Sequence, residues 1–438
     1  MVMGRASRFI LTTALLMTCG FVARADLPID IHAQETSTVQ AHPAFRSGVP
    51  DGTNSLYDGA DTSMTNDVTL YLGVSPWQGG EIWYNPEVDQ GFGLSDTLGI
   101  AGFPSGEAYK VGKKYPYFKS HRIFFRQMLN LGGATEQVVA DANQHQQTRT
   151  ADRLVITLGK FGVTDVFDTN QYAHDPRQDF MNWTIIDTGT FDYAANSWGY
   201  SVGGAVELYK GAWTLRAGLF ALSNIPNGES LDLSFAQHQS VGEVERRFVL
   251  GGRAGAIRIT AYDSYARLGL LTDALAHGAA TGTVPDVSLV RQFAHRNGVS
   301  FNAELSLADD AGMFVRGGVA SGDVEADEFT DVDRTVAAGL SLGGAHWHRA
   351  QDKMGVAVVL NDISATRARY LAAGGLGVLV GDGSLPRKGA EAIGEAYYSA
   401  ALRSWAHLTG DIQIIGNPAY NATRGPVLVF GLRLHIAK

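Results

Sequence analysis

Cysteine is almost absent from this chain of 438 residues. The one cysteine, Cys19, lies in a stretch with the features of a secretory signal. Arg5 and Arg8 precede a short apolar run, and Ala23–Ala25 forms an A-x-A cleavage site. These features predict a signal peptide over residues 1–25. Cleavage there leaves no cysteine, which excludes a disulfide framework and a thiolate metal site.

A lipoprotein anchored through Cys19 is the alternative to a cleaved signal peptide. Thr18 weighs against it, because this residue is larger than those that usually precede a lipidated cysteine.

Long apolar runs and an excess of positive charge are also missing beyond the predicted signal. No stretch there contains about 18 consecutive apolar residues, so the sequence predicts no transmembrane helix. Without Arg5, Arg8 and Arg24, the 35 Lys and Arg residues become 32, against 44 Asp and Glu. This acidic balance argues against a nucleic-acid partner. The 52 glycines exceed the usual share of about 7% and favour turns and close strand approaches over helices.

Apolar residues recur with a period of two from Asp67 to the end of the chain. This spacing is typical of strands with one apolar face. The apolar phase of one strand contains Tyr200, Val202, Val206 and Leu208. The opposite phase of many strands is charged, with Arg122, Arg126, Arg153, Glu207, Arg216, Arg258, Glu304, Asp411 and Arg433. A soluble β-sandwich also alternates, but the long series of strands and the signal peptide favour a membrane barrel.

Segments spread over most of the chain resemble one known family. They are Pro76–Gly112, Gly159–Tyr200 with GKFGVTDVFDTNQYAHDPRQDFMNW, Val241–Arg247, Gly381–Pro386 with GDGSLP, and Asp411–Arg433. Together they resemble the carbohydrate-selective porins of the OprB type. The resemblance implies an all-β fold: a closed antiparallel transmembrane β-barrel of about 16 strands with inward-folded loops. It also implies passive diffusion of mono- and disaccharides across the bacterial outer membrane, with no cofactor and no enzymatic activity.

The sequence divides into three predicted regions: the signal peptide, a polar segment over residues 26–55, and a barrel over residues 56–438. The polar segment is expected to run extended near the barrel mouth or to form a short plug. The first barrel strand is then expected near Val68–Val74, paired with the last strand. Ala437–Lys438 is expected as a short overhang, and Ser321–Arg334 as a solvated acidic loop.

The candidates for a pore constriction are charged and aromatic residues. They lie in two loop-rich regions and on the inward phase of the strands. Carboxylates and guanidinium groups bond sugar hydroxyls, and Trp and Tyr faces stack on sugar C–H patches. The alternative is that these charges pair with one another and clamp the loops. The candidates are Glu81, Trp83, Glu87, Asp89, Glu107, Lys110, Arg122, Arg126, Asp168, Asp175, Arg177, Trp183, Asp192 and Arg216.

No catalytic or metal-binding residues are predicted. The G-x-S-x-G pattern around Ser201 lies in a strand, not at a strand-turn-helix elbow. His346 and His348 fit a strand-end turn better than a metal site. The expected partners are small sugars, outer-membrane lipid and lipopolysaccharide, and the barrel-assembly machinery, with the protein a monomer or homotrimer. A porin for other small solutes, an outer-membrane β enzyme and a soluble exported binding protein remain as alternatives.

Overall fold

The computed structural model describes residues 28–438, and the two-residue alternation forms strands through most of this range. The predicted signal peptide lies outside the described residues. The strands are β1 (Ile29–His42), β2 (Asp61–Trp77), β3 (Gly80–Gly91), β4 (Tyr117–Val138), β5 (Gln147–Phe161), β6 (Ser201–Lys210), β7 (Trp213–Ala221), β8 (His238–Leu250), β9 (Arg253–Leu268), β10 (Gln292–Ala308), β11 (Ala311–Ala320), β12 (Arg334–Gly343), β13 (Lys353–Asp362), β14 (Glu391–Arg403), β15 (Ala406–Gly416) and β16 (Val427–Ala437).

Each strand pairs with the strands before and after it, and β1 pairs antiparallel with β16. The sheet therefore closes on itself, which confirms the predicted closed antiparallel barrel of about 16 strands. Short helices lie in the connections: α1 (Trp183–Ile186), α2 (Leu271–Thr281) and α3 (Ala365–Ala372). Between residues 28 and 438, no helix has both the length and the apolar character needed to cross a membrane.

The two faces of the strands differ as the alternation predicts. Leu215 and Leu432 point outward and are 49% and 52% exposed. Thr157 and Arg433 point into the barrel and are 3% and 0% exposed. An apolar outer surface around a polar interior is the pattern of a barrel that stands in lipid.

The connections alternate between short and long around the barrel. At one rim the strands join through tight turns such as residues 211–212 and 251–252. At the other rim the connections include residues 92–116, 162–200 and 363–390. In bacterial outer-membrane barrels the short turns face the periplasm and the long loops face outside.

The β5–β6 loop, residues 162–200, folds into the barrel and reaches strands on the far side. Its Asn182 side chain donates a hydrogen bond of 3.1 Å to Gln413 on β15. Arg316 on β11 donates one of 2.6 Å to the Ile185 carbonyl. Arg316 thereby supplies a partner for a loop carbonyl that would otherwise be buried without a hydrogen bond.

The β3–β4 loop, residues 92–116, also folds inward and meets the β5–β6 loop. Glu391 on β14 accepts hydrogen bonds of 3.0 and 2.7 Å from the backbone N–H groups of Ala101 and Gly102. The ring of Phe103 stacks on Trp183, with centroids 5.3 Å apart and planes at 15°. The predicted inward-folded loops are therefore present.

The first strand differs from the prediction. Residues 29–42 form β1 and close the barrel against β16, so the assignment of residues 26–55 outside the barrel and the expected start near Val68–Val74 were wrong. The strand was missed because the middle of its outward face carries Ala33, Glu35 and Ser37. These residues give no apolar alternation in the sequence.

Two further expectations were wrong. Ala33 and Lys438 exchange backbone hydrogen bonds of 2.8 and 2.9 Å, so the last residues belong to the ladder and are not an overhang. The predicted solvated acidic loop is largely buried, with Asp331 and Asp333 paired to Arg367 of α3. The basic partner, Arg367, lies more than 30 residues along the sequence, so the charge pattern within the loop could not predict the pairing.

Candidate functional site

The two inward loops and the inner faces of the first strands enclose a cavity of about 400 Å³, named here the aromatic cavity. Strands contribute Tyr71 from β2 and Arg122 from β4. The loops contribute Glu107, Lys110, Asp165, Asp175, Arg177, Trp183, Tyr193 and Tyr200. Charged groups and aromatic rings therefore line one space.

The guanidinium groups of the aromatic cavity are held by carboxylates. Arg122 donates to both oxygens of Asp165 at 2.8 and 2.7 Å, and it lies 4.8 Å from the centre of the Tyr200 ring. Arg177 donates to Glu107 at 2.9 Å. The two-point pair with Asp165 fixes the orientation of the Arg122 guanidinium plane.

Burial and neighbouring charges act against each other on the loop residues of this cavity. Partial burial raises the pKa of Asp165, but Arg122 and the Gly162 N–H lower it by more, so the carboxyl pKa lies below its usual range. Burial lowers the pKa of His174, but Asp187 raises it by more, so the imidazole pKa lies above 6.5. The Asp165 carboxylate therefore stays ionised near neutral pH beside the Arg122 guanidinium.

Aromatic rings stand beside these charges. Tyr200 stacks on His121, with ring centroids 4.4 Å apart. Tyr71 and Tyr193 line the same wall with Trp183. A solute with hydroxyl groups and apolar C–H patches can hydrogen bond to the charged groups and pack on the rings.

A second cavity of about 500 Å³, the arginine cavity, lies next to the first and is lined by Glu81, Phe124, Arg126, Arg153, Glu207, Tyr209 and Arg216. Arg126 contacts Glu81 at 3.1 Å and donates to the Asn143 carbonyl at 2.8 Å. Arg216 contacts Glu243 at 2.6 Å and Glu207 at 3.1 Å. Asn143, from the connection between β4 and β5, lines both cavities, as do Ala142, Asp165 and His174.

The structure distributes the predicted constriction residues over three environments. The aromatic cavity contains Glu107, Lys110, Arg122, Asp175, Arg177 and Trp183. The arginine cavity contains Glu81, Arg126 and Arg216. The other five candidates are buried, with Trp83, Glu87 and Asp89 on β3 and Asp168 and Asp192 in the β5–β6 loop.

The buried residues correct the prediction that all these side chains face solute. Asp192 pairs with Arg296 at 2.9 Å and accepts the Asp327 N–H at 2.7 Å. Asp168 accepts the Thr188 N–H at 2.6 Å. These carboxylates clamp loops, as in the alternative weighed above.

Trp83 is also shielded from solute. It is fully buried beside the His145 ring, with centroids 4.8 Å apart. Glu87 and Asp89 pack against His121 within the wall.

Tyr71, Tyr109, Tyr193 and Tyr200 line the aromatic cavity, and none of these four tyrosines was among the predicted constriction residues. Tyr71 lies on the polar phase between Leu70 and Leu72, a signal that an aromatic ring faces the interior. Tyr200 was assigned to the outward apolar phase, which was wrong. Gly199 has φ of 91° and β6 begins only at Ser201, so the alternation does not extend back to Tyr200.

The sequence profile described as "Carbohydrate-selective porin, OprB family" matches residues 53–437. The chain belongs to the OprB family of porins. The structure of this OprB-family porin is similar to the high-pH structure of Pseudomonas putida OprB, with a TM-score of 0.68, 15% sequence identity, and 94% of each chain covered. The low-pH structure of Pseudomonas putida OprB gives a TM-score of 0.50 at 12% identity, covering 94% of this chain and 92% of that one.

No curated protein sequence gives a significant match. At these identities the structural likeness concerns the fold, and the family match carries the function. The protein is an outer-membrane porin for small solutes, and the family and its fold are those of channels rather than enzymes.

Proposed function

We propose that this porin selects small sugars, of mono- and disaccharide size, and passes them by passive diffusion through the aromatic cavity. The observation that carries the proposal is the pairing of oriented charges with aromatic rings around one space of about 400 Å³. Small-molecule sites usually enclose about 300–1,000 Å³. The description of the matched family supports the same class of solute.

The proposed mechanism is weak binding at successive positions. Arg122 and Arg177 offer N–H groups to sugar hydroxyls, while Asp165 and Glu107 accept from them. Because each guanidinium is already paired with a carboxylate, a free anion gains little by entering. Binding must favour entry of the sugar and still allow its release, as in other selective pores.

The remaining parts of the proposal concern the surroundings of the barrel. The outward apolar surface contacts outer-membrane lipid and lipopolysaccharide. The barrel-assembly machinery inserts the chain after a cleaved signal peptide, and the protein works as a monomer or homotrimer without a cofactor. The constriction is formed by the candidate residues that line the two cavities.

A second candidate is a porin for small anionic solutes. The arginine cavity favours it, because Arg126 and Arg153 lie there with side chains that are only partly buried. In this case charge, not the hydroxyl pattern, decides which solute passes.

Single-channel recording in planar bilayers distinguishes the two candidates. With one sugar from a panel of mono- and disaccharides added at a time, we expect a saturable reduction of ion current for particular sugars. Small carboxylates of similar size serve as the control and should block less. A current that no sugar reduces, but that carboxylates do, would reject sugar selectivity and favour the anion porin.

A further inference from the structure

Acidic side chains are concentrated in the wall beside the aromatic cavity, on β2, β3 and the β3–β4 loop. They surround one guanidinium group and one imidazole. The group consists of the buried residues Asp67, Glu87, Asp89, Glu107 and His121, together with Arg177, whose side chain is 12% exposed.

Local strand geometry places three of these side chains together. Glu87 and Asp89 are two residues apart on β3, so they share the inner face of the strand. The register between β3 and β4 shifts after Asn85, which pairs with Arg122, whereas the next pair is Pro86 with Ser120. His121 is the extra residue of this bulge, and it points inward beside the two carboxylates. Bulges redirect a side chain in this way.

The three side chains converge on one point. His121 Nε2 lies 3.0 Å from Asp89 Oδ2 and 3.6 Å from Glu87 Oε1. One ligand atom from each residue lies within 4.8 Å of the other two. All three side chains are buried.

Some polar atoms of the cluster are left without partners. Among residues 28–438, none forms a hydrogen bond with Glu87 Oε1 or Asp89 Oδ1. Glu87 uses its other oxygen, Oε2, to accept the Thr69 hydroxyl at 2.5 Å. The unpartnered Oε1 is the atom that faces His121. Buried carboxylate oxygens without partners are costly and call for an explanation.

Nearby positive charge does not satisfy these oxygens. Arg177 directs its close contacts to Glu107 at 2.9 Å and Asp67 at 3.4 Å, and it remains 3.9 Å from Glu87. Asp89 has His121 as its ion-pair partner among the residues that the structure describes. The cluster is therefore short of positive charge at the point where the three ligand atoms meet.

We propose that Glu87, Asp89 and His121 bind a divalent transition-metal ion of the zinc class. One imidazole nitrogen with two carboxylate oxygens is a donor set that suits such ions better than calcium or magnesium, which prefer oxygen alone. The ion supplies the missing charge and engages the unpartnered oxygens. It lies behind the ring of Tyr200, which stacks on His121, and so joins β3 to β4 outside the path of the solute.

A direct titration tests the site. Detergent-solubilised full-length protein is treated with a chelator, its folding is checked by heat-modifiable migration, and Zn²⁺ binding is measured by calorimetry. We expect one ion per chain. The Co²⁺-loaded protein should show the absorption bands of an ion bound to protein ligands, and X-ray absorption should show one imidazole nitrogen with oxygen ligands.

Variants assign the ion to these residues. Glu87→Gln and His121→Asn should each weaken Zn²⁺ binding by more than about tenfold. His435→Asn is the matched control, because His435 is a buried histidine on β16 that contacts Thr36 at 3.0 Å, and β1 and β2 lie between β16 and β3. This variant should bind Zn²⁺ as the unaltered protein does.

Two results would overturn the proposal. Folded, unaltered protein that binds no stoichiometric Zn²⁺ or Co²⁺ would show that the carboxylates share protons instead. Unchanged binding in folded Glu87→Gln and His121→Asn would place the ion elsewhere. If either variant does not fold, the titration and X-ray absorption spectrum of the unaltered protein decide the question alone.

Discussion

Arg122→Ala removes the guanidinium group that joins the charged and aromatic parts of the aromatic cavity. Arg122 contacts both oxygens of Asp165 and lies over the Tyr200 ring. In the proposed function it donates to sugar hydroxyls while it stays paired with Asp165. Its loss therefore removes donors and leaves Asp165 without its counter-charge.

The size of the effect follows from these contacts. A hydrogen bond to a charged group contributes about 1.5–3 kcal/mol, and each 1.4 kcal/mol changes an equilibrium constant tenfold. Loss of one such bond to the sugar should weaken its binding by roughly 10- to 100-fold. The Asp165 side chain is 33% exposed, so water screens its unpaired charge and the barrel should still fold.

Planar-bilayer recording measures both consequences. Sugar block of the ion current should require a correspondingly higher sugar concentration, and the ion preference should shift towards cations. Arg253→Ala is the matched control, because it removes the same charge from an exposed pair with Asp309. If Arg122→Ala and Arg253→Ala leave sugar block and ion preference equally unchanged, Arg122 does not act in selection.

Three further predictions concern the barrel and its loops. Leu215→Arg, on the lipid face, should cost about 2–4 kcal/mol in a urea unfolding titration, whereas Thr157→Arg, on the inner face, should fold and alter conductance; equal tolerance would contradict the assignment of the faces. Burial and the Asp192 charge raise the pKa of Asp327 well above its usual range, so its stabilising contribution is complete at low pH and is lost as pH rises through that pKa. Asp327→Asn should therefore lose less stability as pH rises from the ordinary Asp pKa of about 3.9 through the raised value, and an unchanged slope would count against this account. The pKa of His174 is raised above 6.5, so the anion preference of the current should fall as pH increases through that raised value, and His174→Gln should lack the step.

The period-two pattern predicted the strand faces correctly because side-chain direction in a strand depends only on residue position. Leu215 and Leu432 face outward and Arg216 and Arg433 inward, as predicted. The same rule failed where the backbone departs from a strand. Tyr200 precedes β6 and follows Gly199, whose positive φ turns the chain.

Only part of the candidate site could be predicted, because the type of a residue does not reveal which partner it contacts. Arg122 and Arg177 were expected at a constriction and do line the aromatic cavity. Asp168 and Asp192 are also charged residues of an aromatic-rich loop, so the sequence suggested the same role for them. Their partners are instead loop N–H groups and, for Asp192, the distant Arg296. Only the tertiary arrangement distinguishes a carboxylate that faces the cavity from one that clamps a loop.

These clamps explain how irregular loops can keep a fixed position inside the barrel. The β5–β6 loop has little regular structure, yet Arg316 and Arg296 hold it from β11 and β10. Each buried guanidinium meets a carboxylate or carbonyl, and removal of one partner would leave a buried charge unpaired, which commonly costs about 3–5 kcal/mol. The loop is therefore held in one position without a helix or strand of its own. Under the proposed function, Asp168 and Asp192 therefore serve selection indirectly, because they hold the loop that carries Arg177 and several of the aromatic rings.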